Sequence, residues 1–362
     1  MIQYIILALL IILVLYFLRT NKINVVVNPE GNVAHLAAQM KSISKTYRPT
    51  PWLIGGHFHT VYGMRNRKRS SYTNKCSREL FVFADEGTAA LDTFETSDMP
   101  SDAPLVLLNP TLGGGTREPI INNLAEALMK KGFRVVVGNA RGCAGAPITS
   151  PRLSCGADYD DLQAIISHLK EKHQPKFVFI AGFSLGALQS MCFSAFDGSV
   201  DGICCVSHLY NTLEGSFILD KFPQSKLYTP IMLKQLRHTL TKSKFIENPE
   251  AMKAKTLHEF DDVFTAKTRG FKSYREYYKA TEIYDKIPKA KTPTLVIGAD
   301  DDPFTNKKYL PINEVQKSDN VILVHTAEGG HVSFVTGING RNSLIDQIIP
   351  EFFLTIISDK QK

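Results

Sequence analysis

Short runs of apolar residues recur along the chain and alternate with stretches of helical periodicity. Six runs are rich in β-branched residues and bounded by turn-forming residues, a pattern that predicts buried strands. Helical spacing near 119–131, 159–172, 185–196 and 343–358 predicts helices. Buried strands that alternate with helices indicate an α/β fold, with a mostly parallel central sheet and helices on both faces. The six runs are PLVLLNP (104–110), FRVVVGN (133–139), FVFIAGF (177–183), GICCVSHL (202–209), TPTLVIG (292–298) and VILVH (321–325).

One interval departs from this alternation. From about residue 210 to 290 the pattern has no strong strand and favours helices rich in Lys, Phe and Tyr. Such an insertion between two sheet strands lies most simply over the carboxyl ends of the strands, where ligands bind in open α/β sheets. We therefore expect a domain over 104–358 with a helical cap at about 210–290. An extension that carries the first strands is expected over 23–103.

The first residues form a separate apolar segment. Residues 2–18, IQYIILALLIILVLYFL, contain one strongly polar residue and would cover about 25 Å as a helix. A cleaved signal peptide would have a basic segment before the apolar run and a small-residue cleavage site after it, and the sequence has neither. Residues 1–22 therefore predict a single-pass anchor in the endoplasmic reticulum or the plasma membrane. Arg19 and Lys22 are too few to fix its orientation.

Composition and charge narrow the function classes. The chain is 44% apolar, enough for a substantial core, and its formal charge of +7 is a mild basic excess. Six basic residues lie in RNRKRSSYTNKCSR (65–78), a solvated loop or a contact for anionic lipid headgroups. Because no nucleic-acid-binding motif accompanies this run, a nucleic-acid partner is not expected. The six cysteines have no metal-ligand spacing, so no metal is expected either.

The segment FVFIAGFSLGALQSM (177–191) changes from strand to helix at Gly-Phe-Ser-Leu-Gly. A serine at the apex of such a turn has its hydroxyl exposed at the top of a sheet. Gly182 and Gly186 are expected to be required, because a side chain there would collide with the neighbouring strand and helix. Ser184 is therefore the candidate nucleophile. The motif also arises by chance, so its context has to support it.

A serine hydroxyl is a weak nucleophile without a base, and in this topology the acid and the histidine follow the serine in that order. His325 ends the apolar run VILVH, a position typical of a packed residue, whereas His331 follows AEGG, a flexible loop. His331 is therefore the candidate base. The segment VIGADDDPF places Asp300, Asp301 and Asp302 just past a strand, where an acid can orient an imidazole. The residues alone do not choose between Asp301 and Asp302.

Ester hydrolysis also needs hydrogen-bond donors for the negatively charged oxygen of the transition state. One candidate is the backbone N–H of Leu185, at the start of the helix that follows the serine. The other is the backbone N–H of Thr111 in the glycine-rich segment NPTLGGGTREP (109–119), because glycines let the backbone approach a ligand. A phosphate-binding loop is discounted, since no Gly-Lys-[Ser/Thr] follows. This set of residues needs no cofactor.

These segments together resemble the α/β-hydrolase-domain family, in the subgroup of membrane-anchored lipases and esterases that also includes the bacterial YheT-like esterases. The resemblance covers roughly residues 50–356 and includes a Gly-His-x-Gln-Thr element in which His59 replaces the glutamine. The matching segments are GGHFHTVYG (55–63), VVGNARGCAGAPITSPRLSCGADYDDL (136–162), LHEFDDVFTAKTRGFKSYREYYKAT (257–281) and EGGHVSF (328–334).

The resemblance implies the triad Ser184, His331 and the aspartate directly before Pro303, which is Asp302. It also implies hydrolysis of carboxylic esters, often acylglycerols or phospholipids, by single-pass membrane proteins whose catalytic domain often lies outside the cytosol. This chain carries Asn109-Pro110 where many members carry His-Gly, which alters the loop expected to hold the second oxyanion donor.

The sequence therefore predicts a serine hydrolase that cleaves lipid or small esters through an acyl-enzyme. One alternative is a catalytically silent, membrane-bound lipid- or steroid-binding protein on the same fold, which the Asn109-Pro110 replacement favours. Another is an acyltransferase that uses the same triad, since the chain has no His-x4-Asp acyltransferase motif. The exact ester, its acyl-chain length and the oligomeric state are not determined by the sequence.

Overall fold

The computed structural model describes residues 2–67 and 76–362 of the chain. Residues 68–75, which make up most of the basic segment 65–78, lie outside the described residues, so both interpretations of that segment stay predictions. The described strands are β1 (Asn21–Val27), β2 (Thr46–Tyr47), β3 (Ser77–Val82), β4 (Thr88–Phe94), β5 (Leu105–Asn109), β6 (Arg134–Asn139), β7 (Val178–Phe183), β8 (Gly202–Val206), β9 (Thr294–Ala299), β10 (Val321–Thr326), β11 (Val335–Thr336) and β12 (Asn342–Ser343).

Helices surround these strands and also fill the interval between β8 and β9. They are α1 (Ile2–Leu18), α2 (Ala34–Gln39), α3 (Gly56–Val61), α4 (Pro119–Met129), α5 (Tyr159–His173), α6 (Leu185–Phe196), α7 (Thr212–Leu219), α8 (Gln224–Leu227), α9 (Thr229–Thr241), α10 (Pro249–Lys253), α11 (Leu257–Phe260), α12 (Ala266–Thr268), α13 (Tyr274–Thr281), α14 (Ile312–Gln316) and α15 (Ile345–Lys360).

Ten strands form one sheet in the order β2-β1-β10-β9-β8-β7-β5-β6-β4-β3. The six strands from β5 to β10 are parallel to one another. Strands β1 to β4 are antiparallel to their neighbours. The parallel strands are the six that the sequence predicts, and α4, α5, α6 and α15 are the four predicted helices. The predicted α/β architecture is therefore confirmed.

The core lies on both faces of the sheet, because neighbouring residues of a strand point to opposite sides. Along β5, the side chains of Val106 and Leu108 pack with α4 and α15, whereas Leu105 and Leu107 pack with α5 and α6. All four side chains are at most 1% exposed. A strand covered on both faces needs an unbroken apolar run, which is why its sequence predicts it so clearly.

The first strands of the chain, β1 to β4, have a less distinct pattern of apolar residues than the parallel strands. The edge strand β3 alternates exposed with half-buried residues, and β1 buries only one residue fully, so neither contains a long apolar run. Strand β4 is buried throughout, but its sequence TAALDTF includes Asp92 and two threonines. The sequence expects strands somewhere in 23–103 without giving their bounds, and β1 begins slightly earlier, at Asn21.

Between β8 and β9 the chain forms the seven α-helices α7 to α13, a π-helical segment (Asp261–Thr265) and a 3₁₀ turn (Ile287–Lys289). These helices have an apolar cluster of their own, which includes Leu219, Leu233, Phe260 and Phe264. Phe304, from the loop after β9, is part of the same cluster. This contact brings the helices against the carboxyl ends of the central strands.

Helix α1 is the apolar N-terminal segment. It has 17 residues, about 25 Å at 1.5 Å per residue, whereas a bilayer core is about 30 Å thick. Within residues 2–67 and 76–362, no helix is both long enough and apolar enough to cross a membrane. The single-pass anchor predicted for residues 1–22 is therefore not supported.

Candidate active site

Ser184 lies between the end of β7 and the start of α6, at the carboxyl edge of the sheet. Its φ of 52° and ψ of −111° are rare for a residue with a side chain, and such strain is typical of functional turns. The turn is fixed by the backbone, because the Ser184 N–H donates to the carbonyl of Val206 at 2.9 Å. The serine side chain is consequently held at the top of the sheet, half-buried.

The glycines on either side of Ser184 have no room for a side chain. A methyl group at Gly182 would lie 2.3 Å from both the Gly186 carbonyl oxygen and Ser190 Oγ. A methyl group at Gly186 would lie 2.2 Å from the carbonyl oxygen of Asn109. Real Cβ atoms do not approach other atoms this closely, so helix α6 can pack against β5 and β7 only with glycine at both positions.

The hydroxyl of Ser184 is in contact with His331. Ser184 Oγ is 2.8 Å from His331 Nε2, and His331 Nδ1 is 2.9 Å from Asp302 Oδ2. The His331 and Asp302 side chains are each 1% exposed. Because a carboxylate only accepts hydrogen bonds, Nδ1 donates to Asp302 and Nε2 is left to accept from the serine. This arrangement can remove the serine proton and stabilise the imidazolium that results.

Each of the three adjacent aspartates has its own partner. Asp300 Oδ1 is 2.8 Å from His325 Nδ1, and Asp301 Oδ1 accepts the backbone N–H of Gly330 at 2.9 Å. Only Asp302 faces His331. Burial raises the pKa of Asp301 to about 6. The structure thus separates the two aspartates that the residues alone left equivalent: one braces the histidine loop and the other contacts the imidazole.

Two residues that the sequence reasoning missed hold His331 in place. Thr60 Oγ1 accepts the backbone N–H of His331 at 2.8 Å. The ring of Phe304 lies 4.2 Å from the imidazole, and its backbone N–H donates to Asp302 Oδ1 at 2.8 Å. Thr60 could have been singled out, because it lies in the segment 55–63 that resembles a family motif. Nothing in the sequence pattern marks Phe304 as a residue of the site.

Other buried histidines do not approach the serine. His325 pairs with Asp300. His208 is fully buried and its ring nitrogens have no partner among the described residues. Burial lowers its pKa to about 3, so it stays neutral. Burial likewise lowers the pKa of His59 to about 4.

The two predicted oxyanion donors lie near the serine. Leu185 is the first residue of α6, and its backbone N–H has no acceptor within the described part of the chain. Thr111 lines the same cavity as Ser184 and His331. The hydroxyl of Thr111 donates to Glu118 Oε1 at 2.9 Å, a contact that the sequence reasoning missed.

The Asn109-Pro110 replacement has a structural consequence. Asn109 Nδ2 donates to Gln189 Oε1 at 2.8 Å and to the Gly186 carbonyl at 3.2 Å. Gln189 in turn donates to the carbonyl of Cys155 at 2.8 Å. Asn109 therefore joins the end of β5 to helix α6 through its side chain.

Ser184 borders two cavities. The larger, about 520 Å³, also contains His331, and the smaller, about 100 Å³, extends under α7, α9, α11 and α13. Leucines and one methionine form much of the wall of the smaller cavity, and Asp261, Tyr277 and Tyr278 also line it. The leucines and the methionine are Leu112, Leu185, Leu188, Leu209, Leu219, Met232, Leu236 and Leu257. Within the described ranges, no three His, Cys, Asp or Glu side chains are grouped closely enough to hold a metal ion.

Comparison with known proteins agrees with the α/β architecture described above. Residues 104–338 match the family model for the alpha/beta hydrolase fold. An abhydrolase domain-containing protein of Dictyostelium discoideum is 30% identical over 327 residues, which cover 87% of this chain and 82% of that protein. Phospholipase ABHD3 of Mus musculus is 28% identical over 358 residues, which cover 94% of this chain and 87% of that protein.

A solved structure shares the fold. The Pyrococcus furiosus esterase Pf2001 superposes with a TM-score of 0.54 at 15% sequence identity. The match covers 80% of this chain and 95% of that one.

Proposed function

Because this chain belongs to the α/β-hydrolase family and is a carboxylic ester hydrolase, we propose that it cleaves lipid esters through Ser184, His331 and Asp302. The observation that carries the proposal is the hydrogen-bonded path from Ser184 Oγ through the imidazole to Asp302. Ser184 Oγ attacks the ester carbonyl carbon while His331 Nε2 takes its proton. The proton then passes to the leaving alcohol oxygen as the ester bond breaks. Water enters by the same route, releases the carboxylic acid and restores the serine.

The negative oxygen of each tetrahedral intermediate needs donors that are already in place. The backbone N–H groups of Leu185 and Thr111 fill this role in the proposal. Leu185 N–H is free of other acceptors in the described structure. Thr111 lies at the cavity wall, where its backbone N–H also interacts with the carboxyl group of Glu118. No step requires a metal or an organic cofactor.

A lipid substrate is favoured by the surroundings of the serine. Four apolar side chains near or at the wall of the larger cavity are more than a third exposed: Phe58, Val61, Leu227 and Ile231. Val61, Leu227 and Ile231 line the cavity, and Phe58 precedes Val61 by one turn of α3, so both lie on one helix face. An exposed apolar group of this kind is typical of a binding surface for apolar molecules.

The same cavity is also lined by Arg65 and Lys226. Two cations near an apolar mouth favour an ester lipid that carries a phosphate over an uncharged acylglycerol. The relative named Phospholipase ABHD3 is consistent with this choice.

The proposal includes the division of the chain. Helices α7 to α13, within the interval 210–290, contribute Ser216, Leu219 and Met232 to the small cavity beside Ser184. We assign them as a cap on a catalytic domain over 104–358, with the extension over 23–103 before it. A cap in this position restricts which acyl or alcohol groups reach the serine.

The first experiment is covalent labelling with a fluorophosphonate probe, which needs an activated serine and assumes no substrate. Labelling of the wild-type protein should disappear in Ser184→Ala. Ser190→Ala is the matched control: this serine lies on helix α6, which begins directly after Ser184, and its hydroxyl donates to the Gly186 carbonyl at 2.7 Å. It should be labelled like the wild type.

A lipid panel then tests the substrate. Phosphatidylcholine should be hydrolysed faster than monoacylglycerol of the same acyl chain, and Lys226→Ala should reduce this difference. Equal rates on both lipids would contradict the phospholipid assignment.

Two outcomes would favour the alternative functions. If folded wild-type protein is not labelled by the fluorophosphonate, the proposed catalytic serine is contradicted and a silent lipid-binding protein is favoured. Transfer of the acyl group to an added alcohol in preference to water would favour the acyltransferase.

A further inference from the structure

A half-buried carboxyl group lines the cavity of the reacting serine and has no role in the triad. Glu118 lines the 520 Å³ cavity together with Ser184 and His331. It is the residue directly before helix α4, and its carboxyl group folds back onto the glycine-rich loop Thr111–Gly115. Glu118 Oε1 accepts the Thr111 hydroxyl at 2.9 Å, and Oε2 accepts the Gly115 N–H at 3.3 Å. One side chain thus connects both ends of the loop.

The Glu118 side chain is not the loop's sole constraint in the described structure, since the Glu118 backbone N–H also donates to the Gly115 carbonyl at 2.9 Å. The loop's three consecutive glycines have no side chains to pack, and Gly113 has a φ of 64°. Within the loop, the Gly114 N–H donates to the Thr111 carbonyl at 2.9 Å. From helix α9, the Gln235 side chain donates to the Gly113 carbonyl. Glycine is the residue that loses most conformational freedom on ordering, so the side chain that ties the loop ends has a large effect on its shape.

Glu118 is not held in place by an opposite charge. No ion pair joins it to another side chain in the described residues. On the side of the serine, the ionisable groups around it are the Cys143 thiol after β6, His331 across the cavity, Arg65 after α3 and Lys226 of α8. On its other side, Glu118 lines a second cavity with Cys76, Arg78, Asp92 and Arg117. Burial raises the pKa of Glu118 to about 7, while the Thr111 hydroxyl and the backbone N–H groups of Gly115 and Thr111 act in the opposite direction.

A carboxyl group that is partly removed from water and has no cationic partner costs stability, so a glutamate in this position needs a compensating role. Its contacts indicate that role, since they hold the backbone on one side of the serine. We propose that Glu118 is a positioning residue for ester hydrolysis: it fixes the loop Thr111–Gly115 so that a backbone N–H faces the developing oxyanion at Ser184. This inference rests on the proposed function and concerns the loop, not the triad.

The test compares Glu118→Ala with Glu118→Gln in the full chain. Alanine removes both loop contacts. Glutamine keeps both, because its carbonyl oxygen can accept the Gly115 N–H while its NH₂ group donates to Thr111 Oγ1. Removing an oxyanion donor slows enzymes by roughly 10²–10³-fold, so a misplaced one should lower kcat in Glu118→Ala by about 10- to 100-fold. We expect KM to change little and Glu118→Gln to retain a kcat close to the wild type.

Glu126→Ala is the matched control. This residue lies on helix α4, which begins directly after Glu118, pairs with Lys130 on the surface of that helix, and should leave kcat unchanged. If Glu118→Ala does not fold, Thr111→Val removes one of the two loop contacts and should lower kcat with an unchanged KM.

Fluorophosphonate labelling keeps the two proposals separate. A wild-type protein that is labelled at Ser184, together with a Glu118→Ala variant of wild-type kcat, would overturn the role of Glu118 and leave the hydrolase intact. The same conclusion would follow if Glu118→Gln were as slow as Glu118→Ala. A wild-type protein that is not labelled would instead overturn the proposed function.

Discussion

Two walls of the same cavity are built in different ways. On one side, the turn at Ser184 is fixed by backbone packing, because Gly182 and Gly186 leave no space for even a methyl group. On the other side, the loop Thr111–Gly115 is tied by the side chain of Glu118. The first wall depends on steric exclusion, which does not change with conditions. The second depends on hydrogen bonds to an ionisable group.

This difference determines how the site responds to substitution. The side formed by the turn at Ser184, here the serine wall, should lose its geometry when a single methyl group is added. The side formed by the loop Thr111–Gly115, here the loop wall, should keep its geometry as long as its hydrogen bonds are preserved, and its stability should depend on pH. The two walls touch where Gly186 meets the carbonyl oxygens of Asn109 and Pro110.

The largest expected effect is a difference in activity between substitutions of two neighbouring aspartates, Asp302 and Asp301. Asp302→Asn should lower kcat by about 10³–10⁴-fold, because the amide no longer orients and stabilises the imidazolium. Asp301→Asn is the matched control and should cost less than about tenfold in kcat, since this carboxyl group contacts the backbone of Gly329 and Gly330 and not the imidazole of His331. Steady-state kinetics on one ester measures both. A larger loss in Asp301→Asn would reverse the assignment.

Gly186→Ala should break the contact between the two walls. The new methyl group would lie 2.2 Å from the Asn109 carbonyl oxygen and 2.6 Å from that of Pro110. Overpacking of this kind costs about 1–3 kcal/mol, and activity should fall at least about 100-fold because both walls shift. Urea unfolding and ester hydrolysis measure the two effects.

Gly132→Ala separates steric overlap from backbone strain. Nothing lies within 4 Å of its would-be methyl group, but its φ is +84°. This variant should lose roughly 1 kcal/mol of stability and keep full activity. Equal activity in both glycine variants would mean that the walls do not need to touch in this way.

Glu118→Gln should change how stability depends on pH. The pKa of Glu118 is about 7 in the fold against 4.5 for an ordinary glutamate, so the fold favours the neutral form. The stabilisation is complete below pH 4.5 and is lost as the pH rises to about 7. Glutamine does not ionise. From pH 5 to pH 8, the free energy of unfolding of the wild type should therefore fall by about 2 to 3 kcal/mol relative to the variant.

Urea unfolding of both proteins at these two pH values checks this expectation. A constant difference between wild type and variant would contradict it. The comparison cancels the effects of other buried acids, such as Asp301, that are present in both proteins.

A small effect is also expected for Asn109. Asn109→Ala removes the hydrogen bonds to Gln189 and the Gly186 carbonyl and should cost about 1 kcal/mol of stability. The rate should change less than about threefold, because glycine packing and not this amide fixes the serine turn. Thermal unfolding and kcat/KM measure the outcome. A large loss of kcat would mean that the side chain also shapes the oxyanion site.

Much of the fold could be predicted because its central strands are buried on both faces. The runs around Val106, Ile180 and Val324 are unbroken and apolar, and they recur with helices between them. The edge strands β1 and β3 are partly exposed, so their runs are mixed and their bounds could not be predicted. The apolar N-terminal run does form a helix, as predicted. This helix, α1, is too short to support the predicted membrane-spanning anchor.

The sequence by itself determined the serine turn and the histidine loop, because steric exclusion at a strand–helix turn depends on residues next to Ser184. It also placed three aspartates at one strand end. Only the tertiary structure decided which of them faces His331 and what supports that histidine. Thr60 contacts His331 across 271 positions of sequence, and Glu118 acquires its raised pKa from burial among distant segments. Burial and long-range hydrogen bonds arise only when the chain has packed, so no local pattern encodes them.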